Sequence, residues 1–173
     1  MKMKSPAEQM KVVNQFSPKD INGAAQGGNY NHVSLRNYQG CFAEVQVGAH
    51  SGAATAVTIK QAKNVEGNGN KALSFDRYYK QSVAASPQEQ SDMWVEVTGA
   101  SGTFDIAANH NYFIPIRPAM LDVTNDFDCV RVEVAAAGAS TIAAAQLNLY
   151  GGPEGITGNT DHIPSAKVNH MPN

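Results

Sequence analysis

Short runs in which apolar and polar residues alternate dominate the chain, and Met93-Trp94-Val95-Glu96-Val97 and Val130-Arg131-Val132-Glu133-Val134 are the clearest. Side chains of a strand point alternately to opposite faces, so this period predicts strands with one buried and one solvated side. The same rule sorts Cys41, Ala43, Val45 and Val47 from Phe42, Glu44 and Gln46, and Val57 and Ile59 from Thr58 and Lys60. Leu73 and Phe75, then Phe104 and Ile106, then Tyr112, Ile114 and Ile116, and finally Ala145, Leu147 and Leu149 extend the inward set. Pro115 and Pro118 remove backbone donors, which predicts a short, irregular or edge strand there. Eight or nine short strands separated by Gly, Asn, Pro and Ser clusters predict an all-β fold: an antiparallel two-sheet β-sandwich, most simply a jelly roll.

The pattern divides the chain into three zones. Residues 1–32 read as an N-terminal arm, with a short helix over 6–13 capped by Ser5 and Glu8 and a loop-like run over 17–31 containing Pro18, Gly23, Gly27 and Gly28. Residues 33–151 form the sandwich domain, with a polar loop around Pro87. Residues 152–173 form a C-terminal extension rich in Gly, Pro, Asn and Thr, with Ile156, Ile163, Ala166, Val168 and Met171 as its few anchors.

Composition narrows the class of partner. The 173 residues carry a net charge of −2, without the clustered Lys and Arg that mark nucleic-acid or anionic-membrane binders. Charged residues make up 16%, against about 25% in an average soluble domain. A surface this poor in charge can lie against a protein neighbour at little desolvation cost. The lysines near the start are followed by Glu8, Gln9 and Lys11 instead of an apolar stretch, so a secretory signal is not expected. In a reducing cytoplasm Cys41 and Cys129 are then expected to be small buried side chains, although neighbouring strands could bring them together.

Catalytic and metal-binding patterns are sparse. His32, His50, His110, His162 and His170 never approach the spacings of metal motifs. The segment Gly67-Asn68-Gly69-Asn70-Lys71 lacks the spacing and the final Ser or Thr of a phosphate loop, and reads as a turn between strands. Asp122, Asp126 and Asp128 flank a turn with Asn125, and turn chemistry accounts for them without an ion. These readings predict no enzyme, no cofactor and no metal. Trp94 falls on the face opposite Met93 and Val95, so it either packs under another segment or belongs to an interface; Phe42 and Tyr78 raise the same question.

The runs AVTIKQAKNVEGNGNKALSF (56–75) and LDVTNDFDCVRV (121–132) resemble segments of small structural proteins encoded among the head genes of tailed bacteriophages. The resemblance covers roughly 33–151, and within that class the chain is most similar to jelly-roll decoration or cement proteins. It implies a virion protein on the capsid surface, assembled in the host cytoplasm. Its partners would be the major capsid protein and further copies of itself, as a dimer or trimer. Tyr30, Tyr38, Phe42, Trp94 and the two arms are the expected contacts. The alternatives are a carbohydrate- or receptor-binding jelly roll of the virion, a tail or head-to-tail connector protein, and a cupin-type enzyme.

Overall fold

The computed structural model describes residues 10–28, 32–83 and 94–152. Two antiparallel sheets pack face to face as a β-sandwich. The larger contains β1 (Met10–Asp20), β3 (Gly40–His50), β6 (Arg77–Ser82), β7 (Val95–Thr98), β9 (His110–Ile116) and β11 (Thr141–Tyr150) in the order β1-β11-β3-β9-β6-β7. The smaller contains β2 (Val33–Ser34), β4 (Ala56–Ala62), β5 (Lys71–Ala72) and β10 (Cys129–Val134) in the order β2-β10-β4-β5, with β8 (Thr103–Asp105) also pairing with β4. The pairs are nested along the chain: β3 with β11, β4 with β10, β6 with β9. A long hairpin doubled over on itself has this arrangement.

The inward set matches the alternation. Val45, Val57, Ile59, Ile114, Ile116, Val130, Val132 and Leu147 are fully buried in one cluster between the sheets. Cys41 and Cys129 are free, buried thiols in different sheets. Burial pushes the Cys41 thiol up to about 12, so it stays protonated and behaves as a small hydrophobe.

Four expectations are corrected. The helix expected over 6–13 gives way, from Met10 onward, to β1, which pairs along β11 from Met10↔Tyr150 to Asp20↔Ile142. Much of the expected loop from Ser17 is therefore strand too, and Pro18 sits between the paired residues Phe16 and Lys19, where the register shifts and the ladder has no bond to lose. The strand containing Pro115 is interior, lying between β3 and β6. It tolerates the proline because the β6 ladder stops at Phe113, two residues earlier. Lastly, Val95 lies on the inner side but is 52% exposed, because β7 forms the margin of its sheet. The polar loop around Pro87 and the extension beyond Gly152 lie outside the described residues.

After β1 the chain crosses to the smaller sheet as a strap along β10. Ile21 N–H donates to the Thr141 carbonyl (2.9 Å), and Gln26 and Val134 exchange backbone bonds of 2.8 and 2.9 Å. The Val132 N–H donates to Oε1 of buried Gln15, 3.1 Å away, a bond that reaches from one sheet to the other. These bonds satisfy donors that an edge strand would otherwise leave open. Gly27 is required here: its φ is +89°, and a Cβ would stand 1.9 Å from the Val132 carbonyl oxygen. Replacing Gly27 with Ala should destabilise the fold by about 2 kcal/mol or more in urea titration, and a change within about 0.5 kcal/mol would contradict the close approach.

His32, just before β2, is 3% exposed, with Gly67 packed over its ring and its Nε2 without a partner among the described residues; Arg131 Nε is likewise buried and unpaired among them. Burial, reinforced by the Arg131 charge, pushes the imidazole pKa down from 6.5 to about 4, so the folded chain holds it neutral. The unfolded chain takes up the proton first. This contribution is therefore complete above pH 6.5 and is lost as pH falls toward 4, amounting to roughly 3 kcal/mol by linkage. Thermal melts should show Tm dropping across that window in the wild type and much less in His32→Gln; parallel curves would contradict the assignment. Asp20 and Asp122, held below the usual carboxylate range chiefly by the Thr141 N–H and by Lys71 respectively, lose their contributions at lower pH and do not confuse the reading.

Candidate functional site: the outer face of the larger sheet

Alternation that buries one side of β3, β9 and β11 sends Phe42, Glu44, Phe113, Gln146 and Asn148 to the other. Strand register then aligns one transverse row across all six strands: Asn14, Gln146, Glu44, Phe113, Tyr79 and Glu96. Phe113 is its hub. Phe42 stacks on it with ring centroids 4.1 Å apart and planes 24° from parallel, Trp94 approaches at 5.9 Å, and Tyr79 meets it edge-on at 6.4 Å. Each such pair adds about 0.5–1.5 kcal/mol beyond burial. Trp94 remains 44% exposed, so the cluster presents an aromatic surface to solvent.

Beside the rings lies an amide clamp. Gln46 Nε2 donates to Glu44 Oε1 (2.9 Å), while Gln146 Nε2 and Asn148 Nδ2 donate to Oε2 (2.7 and 3.3 Å). Asn148 is only 3% exposed, which fixes one side of the clamp. The result is a flat patch of aromatic carbon next to ordered amides and one carboxylate.

Of the residues singled out from sequence, Phe42 and Trp94 are brought together through Phe113. Tyr38 instead packs against the hydrophobic core, beside Gly152, where an added Cβ would stand 2.6 Å from its ring; burial raises its phenol pKa. Tyr30 lies outside the described residues. Tyr78 points inward and stacks on Phe104 at 4.1 Å, so its neighbour Tyr79 supplies the outer ring. Phe113 was readable from its place between inward Tyr112 and Ile114. Glu44 gave no signal, because the amides that hold it are separated from it by up to 104 positions.

The other candidates resolve into structural roles. Lys71 pairs with Asp122 and lies 4.2 Å from the centroid of the Phe127 ring, and the loop before it closes through Lys63 N–H to the Asn68 carbonyl at 2.9 Å. Asp122 also accepts from Asn125, Asp126 takes a left-handed conformation at the end of the turn, and Asp128 binds Arg36 at 3.1 Å. Among the described residues no three His, Cys, Asp or Glu side chains are placed to share a metal ion, and no helix is long and apolar enough to cross a membrane.

Comparison of the chain with protein-family models, with curated proteins and with solved structures found no match.

Removing the hub tests the cluster itself. Phe113→Ala should cost about 1–3 kcal/mol through lost ring contacts and shift the emission of Trp94, the one tryptophan in the chain, to longer wavelength. Unchanged emission would show that Trp94 does not depend on the hub.

Proposed function

We propose that this protein is a structural component of a tailed-phage virion that binds the outside of the capsid and cements adjacent major capsid protein subunits. The observation that carries the reading is the exposed cluster of Trp94, Phe42, Phe113 and Tyr79 on a rigid sheet face. Interface energy concentrates in such aromatic anchors, and the charge-poor, amide-rich surround can be covered by a protein at modest cost. The nested strand pairing supports a jelly-roll body of the kind the head-gene resemblance implies. Copies gathered on a symmetric shell would act as closed dimers or trimers, each adding weak contacts that multiply through multivalency.

From Met10 to Gln26 the expected N-terminal arm is paired into the two sheets, so point substitutions on the outer face probe docking without removing a strand. Purified protein added to assembled shells that lack it should co-sediment with them. Trp94→Ala and Phe42→Ala should each weaken binding by about tenfold or more, a hot-spot loss of over 1 kcal/mol. Undiminished binding by both variants would contradict docking through this face.

A second reading has its own supporting observation. Aromatic planes beside the ordered amides of Gln46, Gln146 and Asn148 can stack on the apolar face of a sugar while hydrogen-bonding its hydroxyls. In that case the wild-type protein would bind a neutral glycan on an array, the same two variants would not, and shells would show no dependence on Trp94.

A further inference from the structure

We propose that the partner surface presents a cationic side chain, arginine by fit, which lies over the Phe42, Phe113 and Trp94 rings and sets its charge against the Glu44 carboxylate. This rests on the capsid-docking reading and specifies the chemistry of the partner.

The argument starts from charge. Glu44 sits near the middle of the transverse row, and its two oxygens accept from Gln46, Gln146 and Asn148. An ionised carboxylate has about four acceptor directions, so among the described residues one remains open on Oε1, the oxygen that Gln46 alone of them engages. Those three partners are neutral. They order the carboxylate and leave its charge uncompensated. Arg77, on the same side of β6 as Tyr79, is occupied by Asp76 (3.5 Å) and Glu96 (3.4 Å), and among the described residues no ion pair reaches Glu44.

Covering this face with an apolar or acidic surface would strip water from a charged group and return nothing for it. A basic side chain reverses the balance. Its charge pairs with Glu44, one N–H fills the open direction, and aromatic faces attract a cation placed over them. A planar guanidinium can stack on a ring and donate in its own plane at once, which an ammonium cannot. The adjoining rings and carboxylate suit that geometry, with Phe42 two residues before Glu44 on β3 and Phe113 directly across from it on β9.

Full-length wild type, Glu44→Gln and Trp94→Ala should be titrated against the same shells at about 50 and 300 mM salt, where screening of an exposed pair differs strongly. Glu44→Gln keeps the shape and removes the charge. It should bind about tenfold more weakly at low salt and show a flatter salt dependence than the wild type. If Glu44→Gln binds like the wild type while Trp94→Ala fails, the cation is overturned and docking through the face stands. If neither variant weakens binding, both fall. If Glu44→Gln weakens binding equally at both salt concentrations, the loss belongs to the amide clamp and the cation is overturned. Glycan binding lost in Glu44→Gln with shell binding intact would give the carboxylate to sugar hydroxyls instead.

Discussion

The ladder between β3 and β11 is the contact on which the rest of the structure depends. It joins segments about a hundred positions apart, from Gly40↔Tyr150 to His50↔Thr141. On one side it carries β1, on the other β9 and through it β6 and β7. Its inner face supplies Cys41, Ala43, Val45, Leu147 and Leu149 to the core, so the smaller sheet has a surface to pack on only when this register is right. A slip by one residue would send that set outward and bring Glu44 in among the valines, a heavy penalty for a carboxylate.

That constraint also explains how an ordered outer surface arises. Because the inner residues fix the register, the outer residues are aligned as well, and six strands present one straight row from Asn14 to Glu96. Rings on neighbouring strands meet at Phe113, and amides on neighbouring strands meet at Glu44. The strap from β1 to β10 works in the same direction, closing an edge of the smaller sheet with Gln15 and Gln26.

How much of this could be read from sequence depends on how local the cause is. Burial in β3, β4, β9 and β11 followed directly from alternation, since each residue's side is set by its immediate neighbours, whereas β10 also buries Arg131, on the side expected to be solvated, because the strap lies alongside it. The capping-box pattern at Ser5 and Glu8 suggested a helix running to Val13, but from Met10 a free edge on β11 offered a longer set of bonds, and tertiary pairing overrode local preference. Pro18 and Gly27 read as loop residues, although one sits where the ladder shifts and the other beneath a carbonyl. Tyr78-Tyr79 could not be phased, because two aromatics in succession carry no alternation. Phe42 and Trp94 were visible as outward residues, but Phe113 and Glu44 became a hub and an anchor only through cross-strand register.

The most direct test of the central claim, that the outer face of the larger sheet is the contact surface, uses the single tryptophan. Fluorotryptophan incorporated at Trp94 gives one 19F resonance, whose shift between H2O and D2O reports contact with solvent. On binding unlabelled shells that solvent shift should largely vanish, as the 44% exposed ring is covered. A bound protein that keeps the full solvent shift would contradict the account, because docking would then lie elsewhere on the molecule.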